Sequence, residues 1–305
     1  MMICYQKIKN KSRIVQSLTG LTRVEFETLL LSFETIWRIN IENTLADGKK
    51  RKRAWGAGKK SQLRTIEDKL LFILFYFRVY PTQELQGFLF NLSQPQACDW
   101  IHRLTPILNQ ALGKQQQLPE RKPENLKQVL ERCPVLEFII DGTERSITRP
   151  KDKEKQKSNY SGKKKRHTVK NNLITDRQGK ILFLSKTAEG KKHDKKLADE
   201  ENYQFPEGSK LWKDTGYQGY EPEGVMTFQP KKKPRGGELT ELEKEKNQEI
   251  AKERIEIEHN ISGVKRCKIV HDIFRNRKDL FEDVVMETAC GLHNFRTSQR
   301  SQKVA

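Results

Sequence analysis

The sequence predicts an α/β protein in which a helical first third precedes a domain built around one mixed sheet. Apolar residues recur at mostly helical spacing through the first third of the 305 residues. A polar stretch around 114–134 then interrupts the pattern, and short β-branched runs bounded by turn residues follow it. Strand candidates in antiparallel order, then strands mixed with helices, indicate a single mixed sheet. We therefore expect domains at 1–115 and 135–298, a linker at 116–134 and a tail at 299–305.

Three consecutive helices are predicted near the end of the first third. The strongly apolar segment 65–80 is typical of a buried helix, and the shorter segment 82–89 follows it. Ser93 then caps a predicted helix over 94–108, with Gln96 at the capping-box position.

A helix, a short connection and a second, capped helix form the pattern of a helix-turn-helix, whose second helix enters the major groove of DNA. We expect Gln94, Gln96, Asp99 and Arg103 near the DNA end of that second helix. The same pattern also fits a helical bundle that only packs against the rest of the chain.

The chain carries a formal net charge of +19, and its sequence pI is near 9.6. A positive charge of this size favours a polyanionic partner, because each basic side chain that neutralises a phosphate releases condensed counterions. A merely basic soluble protein is the alternative. Much of the charge lies in three runs, at 49–53, 151–170 and 231–235.

The five cysteines are far apart, with no Cys-x-x-Cys pair, which argues against a zinc module and a disulfide framework. No apolar run approaches the roughly 20 residues that a membrane-spanning helix needs. Lysines interrupt the first 13 residues before the apolar core of a signal peptide forms. We therefore expect a cytoplasmic protein.

Two aspartates come directly after predicted strands. Asp141 follows the apolar run 135–140, and Asp214 follows the short strand 210–213. The carboxyl ends of neighbouring strands converge at one sheet edge, where α/β proteins place their sites. Buried carboxylates repel unless a cation lies between them, and Mg²⁺ prefers such oxygen ligands. Taken singly, however, an aspartate followed by glycine is more often a turn residue.

A third acidic candidate comes from helix geometry. At about 100° per residue, Arg254, Glu258 and Lys265 share one face of the predicted charged helix over 238–268, whereas Glu256 projects to nearly the opposite side. The helix can therefore present Glu258 to a metal ion while the two basic residues contact phosphate. The alternative is a solvated face with ordinary i, i+4 ion pairs.

Several blocks of this sequence, taken together, resemble the DDE-class insertion-sequence transposases, in the branch related to eukaryotic Harbinger elements. Arg254, Glu258 and Lys265 reproduce the spacing of that family's Tyr-Arg-Glu-Lys signature, although its tyrosine falls at Ala251. The other blocks are Asp141-Gly142-Thr143-Glu144, Tyr160 to Thr168, Gly190-Lys191-Lys192-His193-Asp194, Asp214-Thr215-Gly216-Tyr217-Gln218-Gly219 and Cys290-Gly291-Leu292-His293-Asn294.

The resemblance implies an RNase H-like catalytic domain at 135–298 and a helix-turn-helix DNA-binding domain at 1–115. It implies that Asp141, Asp214 and Glu258 are catalytic ligands of Mg²⁺ or Mn²⁺, with two ions at the site. Asp194 is a further metal candidate, with an N-cap for the helix 195–201 as the equal alternative. The implied DNA contacts are Lys163, Lys164, Lys165, Arg166, Arg254 and Lys265; for the run from Lys163 to Arg166, a solvated charge run is the alternative.

The implied activity is metal-dependent cleavage of transposon ends and strand transfer into target DNA, carried out by a homodimer on double-stranded DNA in a prokaryotic nucleoid. Two rivals remain open. One is a domesticated, non-catalytic DNA-binding protein that uses only the N-terminal helices. The other is an RNase H-like nuclease that hydrolyses DNA without joining strands.

Overall fold

The computed structural model describes residues 3–42, 50, 52, 61–234 and 236–304. Most of the basic run at 49–53, and Arg235 of the run at 231–235, therefore lie outside the described residues. By its contacts the chain forms two units. The helical unit comprises Met1–Leu118, Lys265–Asp272 and Lys278–Ala305, and the sheet unit comprises Pro119–Val264 and Ile273–Arg277.

A long apolar helix lies at the centre of the helical unit. Every residue of this helix, α4, from Leu70 to Phe77 is buried. The helices of this unit are α1 (Tyr5–Ile8), α2 (Ser12–Thr19), α3 (Arg23–Trp37), α4 (Ile66–Val79), α5 (Gln83–Phe90), α6 (Gln94–Lys114), α11 (Lys268–His271) and α12 (Phe281–Val304), and a π-helical turn at Arg38–Glu42 extends α3.

The predicted helix-turn-helix shape is confirmed in α5 and α6. Asn91 ends α5 in the left-handed conformation (φ 56°), and Ser93 begins α6 with the expected capping box to Gln96. Gly87 permits this tight connection, because a methyl group there would lie 2.7 Å from the carbonyl oxygen of Leu92. The helix α6 runs six residues beyond the predicted end at 108, because Ala111 also packs in the core.

The sheet unit contains seven strands in one mixed sheet. The spatial order is β2-β3-β1-β6-β7, and β4 and β5 also pair with β3. The elements are α7 (Pro123–Leu130), β1 (Glu137–Ser146), α8 (Lys153–Asn159), β2 (Tyr160–Ser161), β3 (Arg166–Asp176), β4 (Ile181–Leu184), β5 (Ala188–Glu189), α9 (Asp194–Glu201), β6 (Lys210–Lys213), β7 (Met226–Phe228) and α10 (Glu241–Lys265).

The pairing directions match the expected RNase H-like arrangement. Strands β4, β3 and β1 pair antiparallel, and β6 and β7 then continue the sheet parallel to β1. Helices α7 and α9 contribute Leu126, Leu130 and Ala198 to the apolar core, which also contains Phe138 of β1 and Leu211 of β6. The expected mixed-sheet domain after a helical region is confirmed.

Three further differences from the predicted organisation concern β1, the linker and the last helix. Strand β1 does not end at Ile140 but continues to Ser146, because the residues after Ile140 keep pairing with β3 as far as Ser146 with Thr168. The predicted linker 116–134 contains α7, whose Leu126 and Leu130 are fully buried. Helix α12 belongs to the helical unit, whereas the predicted division placed residues up to 298 with the sheet.

None of the described helices is both long enough and apolar enough to span a membrane. Each of the five cysteines is a free thiol.

We predict that Gly87→Ala lowers the free energy of unfolding of the helical unit by roughly 1–3 kcal/mol, because the added methyl forces α5 and α6 apart. Urea unfolding followed by circular dichroism measures this. Gly162→Ala is the control, since nothing lies within 4 Å of the added carbon there. Equal stability of the two variants would contradict the tight packing at this turn.

Candidate active site

The register between two parallel strands brings Asp141 and Asp214 together. Ile140 of β1 is paired with Lys213 of β6, so the two aspartates occupy the next position on neighbouring strands. Such strands lie about 4.8 Å apart. The structure therefore places both aspartates at the point where the β1–β6 pairing ends, although Asp141 is inside β1 rather than after it.

Hydrogen bonds fix the segment that follows β6. The backbone N–H of Thr215 donates to Asp214 Oδ1 at 2.6 Å, which starts a short 3₁₀ turn. The fully buried Lys213 Nζ donates to the carbonyl oxygen of Tyr220 and to Glu221 Oε1, the latter at 2.6 Å. These bonds hold the backbone on both sides of Asp214.

A guanidinium group lies between the two aspartates. Arg254 Nη1 is 3.5 Å from Asp214 Oδ1, and Arg254 Nη2 is 4.0 Å from Asp141 Oδ1. The arginine side chain is 13% exposed, and its buried Nε has no hydrogen-bond partner among the described residues. One cation thus compensates two carboxylates from the middle of helix α10.

Burial dominates the protonation of Asp141. Burial and the neighbouring charges of Asp214 and Asp194 raise the pKa of this carboxyl, Arg254 and the backbone N–H of Gly142 lower it, and the net result is a pKa of about 6. A raised carboxyl pKa means that the surroundings disfavour the ionised form. The charge of Arg254 therefore does not fully offset the cost of burying the ionised Asp141 carboxylate.

Asp194 lies against the glycines that follow both aspartates. A methyl group at Gly142 would lie 2.9 Å from Asp194 Oδ1, and one at Gly216 would lie 3.1 Å from Asp194 Oδ2. Lys170 Nζ contacts the same carboxylate at 3.2 Å. Asp194 is the first residue of α9, and the N-cap position belongs to His193, which makes no side-chain cap bond. The structure therefore does not support the N-cap alternative for Asp194.

On helix α10, Arg254 is the residue that lies at the two aspartates. Glu258 is exposed, and among the described residues no three His, Cys, Asp or Glu side chains are grouped to hold a metal ion. Ile257 is buried on the apolar stripe, as predicted. Glu256 points elsewhere, with its carboxylate 3.5 Å from Arg177.

The candidate DNA contacts fall into two groups. Gln94 donates to Gln83, and Gln96 accepts from the backbone N–H of Ser93, so both amides already have partners within the chain. Arg103 is exposed, with its guanidinium 5.2 Å from the centre of the Trp100 ring. Lys265 is the last residue of α10, and the exposed residues Lys163, Lys164, Lys165 and Arg166 lie at the connection between β2 and β3.

Comparison with protein families agrees with both parts of this geometry. Residues 140–294 match the family model of the DDE superfamily endonucleases, and residues 61–114 match the helix-turn-helix of the same superfamily. The chain belongs to the DDE superfamily endonucleases. It is 30% identical over 261 residues to a probable transposase for insertion sequence element IS702 from Microchaete diplosiphon, which covers 84% of this chain and 88% of that protein. No solved structure matches the chain significantly.

Endonucleases of this superfamily use divalent metal ions, and the side chains at the site fit such an ion. Asp141 and Asp214 offer the hard oxygen donors that Mg²⁺ and Mn²⁺ take. The position of Arg254 shows that a positive group can lie within 4.0 Å of both carboxylates. The donor chemistry at the site therefore agrees with what the family implies.

Sequence reasoning did not single out Lys170 or Tyr217. The fully buried Tyr217 hydroxyl donates to Asn172 Oδ1 at 2.9 Å, and burial beside the three aspartates raises its pKa. The available signal was the polar run of Lys170, Asn171 and Asn172 directly before Leu173 and Ile174 in a predicted strand, since buried polar side chains need partners.

We predict that Gly142→Ala destabilises the protein by roughly 1–3 kcal/mol, because the new methyl overlaps the Asp194 carboxylate. In the background of Asp194→Ala, the same change should cost much less. Denaturant unfolding of the four proteins of this double-mutant cycle gives the coupling energy. A cost of Gly142→Ala that is the same in both backgrounds would show that Asp194 does not set the need for glycine.

Proposed function

We propose that the chain is a transposase, which cleaves the ends of a DNA element and joins the freed 3′-hydroxyl groups to target DNA. The observation that carries this proposal is the pair of Asp141 and Asp214 at adjacent register positions, inside a domain that matches the DDE endonucleases. The name of the relative from Microchaete diplosiphon, a probable transposase, supports strand transfer rather than hydrolysis alone.

In this proposal Asp141, Asp214 and Glu258 hold two Mg²⁺ or Mn²⁺ ions, and Asp194 is a further candidate ligand. When bound, such ions activate a water or a 3′-hydroxyl and stabilise the leaving oxygen of the phosphodiester. Lys170 offsets the charge of Asp194 at 3.2 Å, so that this carboxylate can lie beside the catalytic pair. The Asp194 side chain also fits closely against Gly142 and Gly216, which directly follow or lie near Asp141 and Asp214, and this packing helps to position the two segments that carry those aspartates.

Arg254 and Lys265 contribute positive charge on helix α10 that suits the phosphates of DNA. Arginine binds phosphate through a planar fork of donors, whereas lysine acts as a point charge. The hydroxyl of Tyr217, beside the aspartates, is fully buried and donates to Asn172, so it is not offered as a nucleophile. The proposed cleavage therefore proceeds by direct attack of water or a 3′-hydroxyl on phosphorus, without a covalent protein intermediate.

Duplex DNA recognition is assigned to two surfaces. In the first, α6 enters the major groove with Gln94, Gln96 and Arg103 as the base contacts. In the second, the basic turn from Lys163 to Arg166 grips the phosphate backbone. We propose that two copies bind the two terminal inverted repeats as a homodimer, in the nucleoid of a prokaryotic cell.

We predict that Asp141→Asn, Asp214→Asn and Glu258→Gln each abolish strand cleavage while leaving DNA affinity within a few fold. Each change removes a charged metal ligand and preserves the side-chain shape. The measurement is Mg²⁺-dependent cleavage of a labelled duplex taken from the flanks of the gene, beside a binding assay with the same DNA.

The matched control is Glu249→Gln, which removes one exposed carboxylate from the same helix α10 and should keep full cleavage. Full cleavage by any of the three site variants contradicts that residue's assignment. Cleavage without joined products in the wild-type protein indicates a nuclease instead of a transposase.

We predict that Lys163→Gln, Lys164→Gln and Lys165→Gln together reduce the slope of log affinity against log salt by roughly 2–3, because each lost phosphate contact removes about 0.9 from it. Affinity titrations of duplex DNA at several salt concentrations measure the slope. The control removes three exposed charges from the α7 region, at Lys122, Lys127 and Arg132. Equal slopes in both triple variants would make the turn a solvated surface.

A further inference from the structure

The guanidinium of Arg254 lies between Asp141 and Asp214, at the position where the proposed function requires a metal ion. This guanidinium is within 4.0 Å of Asp141 and Asp214, and no other basic side chain is paired with either aspartate among the described residues. We propose that Arg254 is a resident placeholder cation, which occupies the position between the two aspartates in the metal-free protein and leaves it when a divalent ion binds. This inference rests on the proposed function.

The contacts of Arg254 are those of a displaceable cation. Strong arginine–carboxylate pairs form two parallel hydrogen bonds of about 2.7–2.9 Å. The distances at Arg254 are 3.5 and 4.0 Å, one to each aspartate, and its buried Nε has no hydrogen-bond partner in the described chain. The guanidinium therefore compensates charge without a well-formed bridge to hold it.

Arg177 shows what a firmly held arginine looks like next to the same helix. Its Nη1 is 2.6 Å from Glu253, its Nε is 3.2 Å from Glu137, and its guanidinium is 4.1 Å from the centre of the Trp212 ring. This network fastens α10 to the sheet immediately before Arg254. The side chain of Arg254 can therefore leave the aspartates while the helix backbone stays in place.

A divalent ion and the guanidinium cannot share this position. Mg²⁺ binds carboxylate oxygens at about 2.0–2.1 Å, and a second positive group within 4 Å of the same oxygens would meet strong repulsion. A divalent ion held by Asp141 and Asp214 would therefore repel Arg254, and its guanidinium would then be available to a DNA phosphate. Phosphate on Arg254 in turn removes the competitor for the metal, so metal and DNA binding are positively coupled by thermodynamic linkage.

The test compares Mn²⁺ binding to the full chain without DNA, by titration calorimetry, in the wild type and in Arg254→Gln. Loss of the competing cation should tighten Mn²⁺ binding by about tenfold, or 1.4 kcal/mol. Lys252→Gln is the control, since it removes one exposed charge of α10 two residues away and should change the affinity less than twofold.

Thermal melting supplies a second readout that a fixed structural role would not produce. In a chelator, Arg254→Gln should melt below the wild type, because buried carboxylates lose their compensating charge. Saturating Mn²⁺ should remove or reverse that gap. If Arg254→Gln does not fold, Arg254→Lys keeps a cation with fewer donors and should show both effects at smaller size.

Equal Mn²⁺ affinity in wild type and variant, or an equal melting deficit with and without Mn²⁺, overturns the placeholder role and leaves the proposed function standing. Absence of Mn²⁺ binding in both proteins overturns the metal-dependent function together with this inference. Equally tighter Mn²⁺ binding in Lys252→Gln would show that the affinity depends only on the net charge of the protein, and this result would also overturn the placeholder role.

Discussion

The close approach of two carboxylates, imposed by the parallel pairing of β1 and β6, is the constraint around which the sheet unit is organised. Like charges at adjacent strand positions repel strongly in a partly buried site. Two basic side chains compensate the negative charge. Arg254 on α10 lies at Asp141 and Asp214, and Lys170 on β3 contacts Asp194. Glycine at positions 142 and 216 then leaves room for Asp194 at close range. The groups that accommodate these carboxylates therefore come from two strands and a helix, together with the two glycines.

The orientation of α10 depends on a second set of charges at its outer side. Arg177, in the turn after β3, pairs with Glu253 and Glu256 and stacks on Trp212 of β6. The buried Ile257 faces the apolar side. With both sides fixed, the helix presents Arg254 to the aspartates. The alternating sequence Ile255-Glu256-Ile257-Glu258 permits more than one rotation of α10 about its axis. The ion pairs of Arg177 with Glu253 and Glu256 favour the observed rotation.

Much of this arrangement could be predicted from local sequence signals. The apolar runs before Asp141 and Asp214 identified β1 and β6, and helix phase separated Glu256 from the face of Arg254. The extension of β1 to Ser146 could not, because the polar residues after Asp141 are held in the strand only by pairing with β3. Likewise, which residue of the Arg254–Glu258 face meets the aspartates depends on how far along its axis the helix docks. The position of the helix along its axis is set by tertiary contacts, which the periodicity of the sequence does not predict.

In the helical unit, the side chain of Gln96 cannot both cap the start of α6 and bind a DNA base. The amide of Gln96 closes the capping box of α6, and an N-terminal cap is worth about 1 kcal/mol. A bidentate contact of the same amide with adenine is worth about 1–3 kcal/mol of discrimination against the wrong base, and loss of the capping bond offsets part of that gain. Arg103 is exposed and rests on the Trp100 ring without a hydrogen-bonding duty in the helix start. Of the three candidate base contacts on α6, Arg103 is therefore the one that can bind DNA at the smallest cost to the fold.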